Sequence, residues 1–454
     1  MVKTKIIIVG SGTIGLSSAY TISQNEEYDV LVFDQHSIPS PNASSTDINK
    51  AVRVDYGDKK LYMDLMLTKA LPKWKEWNKE REASQLKPVY VNTGVLLLGY
   101  KDQLSYYETS SRELLEKTGY PVEVLSANQI KERFPVFSDA VDNGYNTAIF
   151  NPIGGWSHSS EAIKHVYNKC LQQSNIQFVL GNKEGCFEKF IFDQQGHEKQ
   201  KVIGIITKDG MAHYADKVIL ATGAFTSGIL NKKGIYNDNQ LNATGQVIFK
   251  FNPPKEYQID RLPVWGGNLG VTGYYGFPSN EDGQMKIARH SDGFVFPRSD
   301  DQVSIPWFPE GTVPIDAVKH FREFLSRFLP KINKLDIVET KLCWYSDSND
   351  GNFLISYHPK YSNLVVASGD SGHLFKFFPV IGESVLDVLE GRKTEYTELW
   401  KWKDLETLNQ NDGDAARNKE GIKILSDPDD TSENNSNRVR LATKNELKAN
   451  ATFI

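Results

Sequence analysis

Near its start, the chain carries a glycine-rich turn of the kind that binds a nucleotide phosphate. The strand-like run Lys5–Val9 leads directly into Gly10-Ser-Gly12-Thr-Ile-Gly15. In this order Gly10 permits a tight turn, Gly12 lets the backbone approach a pyrophosphate, and Gly15 lets the next helix pack against the strand. The backbone N–H groups at the start of that helix would face the phosphates. The predicted phosphate-binding residues are Gly10, Gly12, Thr13, Ile14 and Gly15.

An acidic residue ends the next apolar run. Asp34 follows Val30–Phe33, about 20 residues after the glycine-rich turn, where a carboxylate accepts hydrogen bonds from a ribose. The strand, the helix and the acid together are far more specific than three glycines alone. They predict a dinucleotide site, and an NAD-dependent dehydrogenase would also carry this first motif.

Regular elements must position these residues. Apolar residues at helical spacing predict a helix over 60–80, with a possible kink at Pro72. Residues 244–309 are rich in aromatic and β-branched residues broken by Gly and Pro, which predicts a mostly antiparallel sheet that can wall a cavity. Further predicted helices cover Glu161–Leu171 and Glu383–Leu389, and further predicted strands cover 89–91, 95–98, 178–180, 187–192, 202–207 and 217–223.

Length, charge and cysteine content limit the class of protein. The 454-residue chain is too long for one core, so we expect two domains. Its net charge of −5, without a dense Lys/Arg stripe, favours a small-molecule partner over nucleic acid or membrane. The first apolar run is too short for a signal peptide or a membrane span, and three widely spaced cysteines indicate neither disulfides nor a zinc site. We expect an intracellular monomer, cytoplasmic or peroxisomal, without a bound metal.

Four separated stretches together resemble one enzyme family. The chain is similar to the flavin-dependent amine oxidases of the D-amino-acid-oxidase type, over residues 5 to about 403. Within this family it resembles the monomeric sarcosine, pipecolate, fungal fructosyl-amino-acid and saccharopine oxidases. The resemblance implies FAD as the cofactor and O₂ as a substrate. The stretches are Ile8–Gly15 with Asp34, Asp47–Gly57, Lys341–Tyr345 and Gly369–Lys376.

The resemblance also implies the fold and the division into domains. The fold class expected is α/β, with a Rossmann-type FAD-binding domain, as in D-amino-acid oxidase and glutathione reductase, and a second, mostly antiparallel-sheet substrate domain. The polar stretch after residue 403 is expected to be a disordered tail, because it has too few apolar residues for a core. The predicted segments are 1–85, 150–235 and 336–403 for the FAD-binding domain, 86–149 and 236–335 for the substrate domain, and 404–454 for the tail.

Cys343 is the most specific of the implied cofactor residues. In the subfamily that the chain resembles, the cysteine at this place is joined by a thioether to the 8α carbon of FAD. From position alone, Cys343 would be a small buried hydrophobe, which is the commoner role of a free cysteine. The further flavin-binding residues that the resemblance implies are Ser45, Lys50, Gly223, Asp370, Gly372, His373 and Lys376.

Three cations have implied roles at the flavin. Arg53 and Lys376 would hold the substrate carboxylate, for which the arginine fork supplies paired hydrogen bonds and lysine a point charge. Lys286 would lie behind the flavin N5 atom, through a water, where its charge assists electron transfer to oxygen. The alternatives are a surface ion pair for Arg53, a helix-start position for Lys376 and a solvent-facing position for Lys286.

The residues that would select the substrate form a mixed set. Fungal fructosyl-amino-acid oxidases have a glutamate where this chain has His290 and a small residue where it has Tyr345. Both residues match the sarcosine-oxidase type, as does Tyr275. Asp47-Ile-Asn-Lys50 is instead more similar to the fructosyl branch, and Asp47 could contact a sugar. His290 could also be only a structural histidine.

The implied reaction is the oxidation of a secondary-amine amino acid. FAD takes two electrons from the amine, the imine hydrolyses in water, and reduced FAD passes the electrons to O₂, giving H₂O₂. The alternatives are a fructosyl-amino-acid oxidase, a non-catalytic flavin-binding protein and an NAD-dependent dehydrogenase. A yellow protein that bleaches with substrate and recovers in air would exclude the last two.

Overall fold

The computed structural model describes most of the chain. Its described residues are 3–193, 200–232, 239–258, 262–298, 301–309, 311–404, 406, 416–426 and 438–453. Within them, no helix is both long and apolar enough to cross a lipid bilayer.

The strands form a mostly parallel sheet, a large mixed sheet and smaller sheets. In chain order they are β1 (Thr4–Val9), β2 (Tyr28–Asp34), β3 (Lys50–Arg53), β4 (Tyr90–Val91), β5 (Val95–Gly99), β6 (Glu123–Ser126), β7 (Thr147–Asn151), β8 (Gly154–Ser157), β9 (Ile176–Leu180), β10 (Phe187–Phe192), β11 (Gln200–Thr207), β12 (Ala212–Tyr214), β13 (Lys217–Leu220), β14 (Leu241–Phe251), β15 (Val264–Gly267), β16 (Tyr274–Gly276), β17 (Met285–Arg289), β18 (Phe294–Val295), β19 (Glu339–Ser348), β20 (Leu354–Tyr357), β21 (Tyr361–Ser362), β22 (Leu364–Ser368), β23 (Lys423–Leu425) and β24 (Arg438–Val439).

The helices lie between these strands. In chain order they are α1 (Thr13–Ser23), α2 (Lys60–Leu65), α3 (Leu71–Ala83), α4 (Tyr106–Lys117), α5 (Ala127–Arg133), α6 (Ser138–Asp142), α7 (Ser159–Leu171), α8 (Thr226–Lys232), α9 (Leu269–Thr272), α10 (Ile315–Phe328), α11 (Pro330–Asn333), α12 (Ile381–Leu389) and α13 (Glu395–Leu399).

The mostly parallel sheet places β1 at its centre. Its strand order is β20-β22-β13-β1-β2-β9, and only β20 pairs antiparallel to its neighbour among these described strands. Ile6 and Ile8 belong to the core shared with α1, α7 and α12, whereas Ile7 and Val9 pack with β10 and β11. A strand that is buried on both faces requires a continuous apolar run, which is what the sequence supplies.

The large sheet is mainly antiparallel. Its order is β24-β23-β18-β14-β17-β16-β15-β5-β7-β6, and β19 pairs with β14 along its whole length. Helix α10 covers one face, where the ring of Phe321 stacks on Phe249 with centroids 4.0 Å apart. This sheet carries the predicted residues Tyr275, Lys286, Cys343 and Tyr345 on β16, β17 and β19. The predicted α/β fold class, with a mostly antiparallel second sheet, is confirmed.

The predicted helix over 60–80 is present, with a π-helical turn just before the predicted kink at Pro72. Helices α2 and α3 are joined by the π-helical turn Met66–Ala70, and Pro72 lies in the first turn of α3. Proline is tolerated there because a helix start leaves its N–H groups without intrahelical partners.

The prediction that 404–454 is a disordered tail is wrong for residues 416–426 and 438–453. Strand β23 pairs with β18, and β24 extends the same sheet. A few well-spaced apolar residues are sufficient here, because they complete a core that other segments have already formed. The apolar residues of this C-terminal part with at most 7% exposure are Ala416, Leu425, Ala442 and Leu447.

The predicted boundary at residue 336 is also wrong for β19. Residues 336–403 were expected to belong to the FAD-binding domain, but β19 pairs with β14 in the large sheet. The alternation of polar and apolar residues that marks a strand does not reveal its partner strand. Cys343 therefore lies on the large sheet and not on the sheet that carries the glycine-rich turn.

Candidate active site

A cavity of about 410 Å³ extends from the glycine-rich turn to His290, which follows β17. It collects most of the predicted site residues from distant parts of the chain, whereas Gly15 and Lys286 are not among its lining residues. The predicted residues that line it are Gly10, Gly12, Thr13, Ile14, Asp34, Ser45, Lys50, Arg53, Gly223, Tyr275, His290, Cys343, Tyr345, Asp370, Gly372, His373 and Lys376.

The glycine-rich turn has the geometry that its sequence predicts. Gly10 has a φ of +100°, and a Cβ placed on it would lie 2.4 Å from the carbonyl oxygen of Ala221. Gly12 precedes α1 without a capping side chain. Its own added Cβ would come no closer than 3.8 Å to Ser45 Oγ, on the side of the cavity. The start of α1 is thus open to a ligand's phosphates.

Asp34 fixes the neighbouring turn while it lines the cavity. Its Oδ2 atom accepts hydrogen bonds from the backbone N–H and the hydroxyl of Ser11, at 2.8 and 2.7 Å. Its Oδ1 atom accepts one from the N–H of His36, at 3.0 Å. The predicted hydrogen bond from Asp34 to a ribose stays a prediction.

A buried charge cluster lies next to Cys343. Lys50 lines the cavity and donates a hydrogen bond to Cys343 Sγ at 3.6 Å. Its ammonium is also 3.5 Å from Asp47 Oδ2. The same oxygen accepts a hydrogen bond from Lys286 Nζ at 2.8 Å, and Lys286 donates a second one to the carbonyl of Asn49. Asp47 therefore bridges the two lysines.

Burial and charge shift the titration of this cluster. Burial lowers the pKa of Lys286 to about 8, against the opposing attraction of Asp47. Burial alone would raise the pKa of Asp47, but the ammonium groups of Lys286 and Lys50 hold it well below its usual range. Asp47 is thus an anion whose carboxylate is turned toward the lysines. It does not line the cavity, so the suggested contact between Asp47 and a sugar is not supported.

The two predicted carboxylate-binding cations both contact one tyrosine, Tyr56. The Arg53 guanidinium donates to the Tyr107 hydroxyl and to a main-chain carbonyl, and its carbon lies 5.4 Å from the centroid of Tyr56. Lys376 Nζ donates to the Tyr56 hydroxyl at 3.0 Å and to the carbonyl of His373 at 2.6 Å. Both cations line the cavity. Lys376 is buried in a short 3₁₀ turn, with 4% exposure. The solvent-facing alternative for Lys286 is wrong, because that side chain has 1% exposure.

Aromatic side chains form the wall on the large sheet. Tyr275 and Tyr345 share a hydrogen bond, and burial raises the pKa of both phenols. The His290 ring lies 5.9 Å from that of Tyr345. Gly372 leaves room for Tyr345, because a Cβ added at Gly372 would lie 2.2 Å from its ring. Asp370 fixes this turn by accepting hydrogen bonds from the N–H groups of Ser346 and Gly372, at 2.9 and 3.0 Å.

Comparison with known proteins identifies the family that this geometry represents. Residues 5–387 match the family described as FAD dependent oxidoreductase, DAO. The chain belongs to the DAO family of FAD-dependent oxidoreductases. It is 30% identical over 427 residues to L-saccharopine oxidase of Schizosaccharomyces pombe, a match that covers 88% of this chain and 93% of the relative. It is 28% identical over 393 residues to monomeric sarcosine oxidase of a Bacillus species, covering 86% and 93%.

Solved structures show the same DAO-family fold. A modified fructosyl peptide oxidase from Aspergillus nidulans, in complex with FSA, aligns with a TM-score of 0.76 and 26% identity. The alignment covers 92% of this chain and 98% of that one. The expected family is thus confirmed, and its members include oxidases of several N-substituted amino acids.

The residues present suit the cofactor of the DAO family. The open start of α1 and the cradle at Gly12 would hold the pyrophosphate, and Asp34 lies where the adenosine ribose would bind. Lys50 and Cys343 line the same cavity at the end where the flavin ring would lie. Bound FAD would supply an acceptor for two electrons.

Gly15 supports the site through packing rather than contact. A Cβ added at Gly15 would lie 1.9 Å from the carbonyl oxygen of Gly10, so α1 and the turn would have to separate. We expect Gly15→Ala to lower the thermal midpoint by roughly 5 °C and to reduce the flavin content of the purified protein. Absorbance at the flavin band and a thermal melt measure both effects. Gln24→Ala, at the exposed end of the same helix, should change neither; a wild-type flavin content in Gly15→Ala would contradict this role.

Sequence reasoning missed several residues that complete the site. Tyr107 contacts Arg53, and Tyr56 contacts Lys376. Tyr56 lies in the stretch Asp47–Gly57 that carries the family resemblance, so its closeness to Arg53 in the sequence could have marked it as a site residue. Tyr107 and Ala416 come from α4 and from the C-terminal part, and no motif marks either of them. Their positions follow only from tertiary packing.

Proposed function

We propose that this protein oxidises amino acids that carry an N-substituent, of the sarcosine, pipecolate or saccharopine type. The electrons would pass through FAD to O₂, with H₂O₂ as the product. The observation that carries this proposal is the charge of the substrate end of the cavity. Arg53, Lys376 and His290 line the cavity. Among the described lining residues the carboxylates are Asp34, at the end of β2, and Asp370, just after β22, and both would lie near the cofactor.

Different side chains of the cavity would bind the substrate and exclude water from it. Arg53 and Lys376 would hold the substrate carboxylate. The Tyr56 hydroxyl accepts a hydrogen bond from Lys376 and would help to orient that ammonium. Tyr275 and Tyr345 would exclude water from the amine and its neighbouring C–H bond. No side chain has to act as a strong base, because the amine would react in its neutral form.

The covalent attachment of FAD through Cys343 is part of the proposal. Cys343 has 3% exposure, lines the cavity and accepts a hydrogen bond from Lys50. Lys50 would thereby orient the sulfur toward the flavin ring. Cys170 lies in the core beside α1, and Cys186 lines the cavity near Asp34, so neither is placed for this bond.

A fructosyl-amino-acid oxidase is the second candidate function. It is favoured by the structural similarity to a fructosyl peptide oxidase and by the stretch Asp47–Lys50. Sugar hydroxyls would meet His290 instead of an acid, and an unpaired polar group in a closed pocket costs about 1 to 3 kcal/mol. We therefore expect kcat/KM for sarcosine, pipecolate or saccharopine to exceed that for fructosyl-valine roughly ten- to a hundredfold. Oxygen consumption with these four compounds tests this, and a higher value for fructosyl-valine would favour the second function.

Arg53 offers a direct test of carboxylate binding. Arg53→Lys keeps the charge but removes the planar fork, so we expect kcat/KM to fall roughly ten- to a hundredfold, mainly through KM. Flavin content should stay unchanged. The control is Arg133→Lys, which alters an exposed ion pair with Glu123. Equal kinetics in the two variants would show that Arg53 does not bind the substrate.

Three expectations about the whole protein remain proposals. We propose that it acts as a monomer, in the cytoplasm or the peroxisome. We also propose that 1–85, 150–235 and most of 336–403 form the FAD-binding unit, with 86–149 and 236–335 forming the substrate unit.

A further inference from the structure

The C-terminal part of the chain reaches the cavity. Ala416 has no exposed surface and lines the cavity together with Leu269, Tyr275 and His290. It belongs to an apolar cluster that also contains Val264. Ala416 lies outside residues 5–387, which match the DAO family model.

Main-chain hydrogen bonds attach this segment beside His290. The N–H of Asn418 donates to the carbonyl of His290 at 3.0 Å, and the carbonyl of Asn418 accepts from Asp292 at 3.1 Å. Further along, the N–H of Lys423 donates to the carbonyl of Gly293 at 3.2 Å. Residues 416–423 are therefore held like a short extra strand.

Ion pairs with β19 and β17 also hold residues 416–423 in place. Arg417 donates to Asp347 Oδ2 at 2.6 Å, and Asp347 lies two residues after Tyr345 on β19. Arg289, at the end of β17, makes paired hydrogen bonds of 2.6 and 2.8 Å with Glu420. The guanidinium of Arg417 is turned to Asp347, so the residue that the segment presents to the cavity is the small, apolar Ala416.

We propose that Ala416 sets the size of the substituent on the substrate's α-carbon that the cavity accepts beside His290, and that residues 416–421 act as a fixed wall. The proposal rests on the proposed oxidation of N-substituted amino acids. The wall fits an apolar substituent, because Ala416, Leu269 and Val264 offer it no hydrogen-bonding side chain. A larger residue at 416 would occupy space that a bulky substrate needs.

A larger and a smaller residue at position 416 test the proposed wall. In the full-length holoenzyme, Ala416→Leu should lower kcat/KM for N-methyltryptophan at least tenfold more than for sarcosine. Ala416→Gly should raise the ratio of kcat/KM for N-methyltryptophan to kcat/KM for sarcosine. The matched control is Lys419→Leu, which places the same side chain at an exposed position of the same segment and should leave the ratio within twofold.

A second measurement separates this proposal from the proposed function. Acetate and indole-3-acetate carry a carboxylate but no oxidisable amine, and their binding can be followed by the absorbance of the flavin. Ala416→Leu should raise the Kd of indole-3-acetate at least tenfold more than that of acetate. If this holds although no amine is oxidised, the proposed function fails and the wall stands. Suppose instead that amines are oxidised, and that Ala416→Leu and Ala416→Gly change neither the kcat/KM ratio of the two amines nor the Kd ratio of the two acids. The wall is then refuted and the proposed function stands.

Discussion

Changing Cys343 to serine is expected to move the flavin from acid-precipitated protein into the supernatant. Serine has nearly the same volume, but its hydroxyl does not form the thioether that we propose between Cys343 Sγ and the 8α carbon of FAD. The parent protein should keep its yellow colour in the pellet. Absorbance of the two fractions after acid treatment measures the result directly.

The other cysteines provide the control for this experiment. Cys186 lines the same cavity near Asp34, and Cys170 is buried beside α1. Cys186→Ser and Cys170→Ser should both retain the colour in the pellet. Yellow supernatant from the parent protein would show that the cofactor is not covalently bound.

Changing Lys286 to methionine is expected to slow the reaction of the reduced enzyme with oxygen by roughly 10²- to 10³-fold. Reduction by the amine substrate should change far less. Methionine preserves most of the buried volume and removes the ammonium that Asp47 and the Asn49 carbonyl hold in place. Stopped-flow spectroscopy of the flavin measures the two half-reactions separately.

Because Lys286 is buried, the rate of flavin reoxidation should depend on pH. Burial lowers the pKa of Lys286 to about 8. The ammonium is therefore present below pH 8 and is lost as the pH rises through that value. Reoxidation should slow above pH 8 in the parent protein and should lose this dependence in Lys286→Met.

A neighbouring lysine supplies the matched control. Lys250 lies opposite Lys286 on β14, but its ammonium pairs with Glu339 at 2.6 Å. Lys250→Met should leave both half-reactions nearly unchanged. Equal slowing of the two half-reactions in Lys286→Met would assign Lys286 a structural role instead.

Local sequence signals were sufficient for the nucleotide end of the site. Gly10, Gly12 and Gly15 act at positions where a side chain would collide with the backbone or fill the cavity, and such requirements are visible in the sequence itself. Asp34 ends β2 as its apolar run predicts. The clustering of Arg53 and Lys376 around the cavity followed only from resemblance, because 322 positions separate them in the sequence.

Long-range packing decided what the sequence left open. Asp47 was a candidate sugar contact, yet its carboxylate pairs with the ammonium groups of Lys50 and Lys286 and does not line the cavity. Polar composition hid the role of Ala416, because a segment that completes an existing core needs few apolar residues of its own. The partner of β19 was equally hidden, since strand periodicity does not specify which sheet a strand joins.

The most direct test of the central claim is an anaerobic titration of the purified protein, followed by the flavin absorbance. We predict a yellow protein that bleaches when sarcosine, pipecolate or saccharopine is added. The colour should return on admission of air, as H₂O₂ appears. A colourless protein, or a yellow one that none of the three compounds bleaches, would contradict the assignment as an oxidase of N-substituted amino acids.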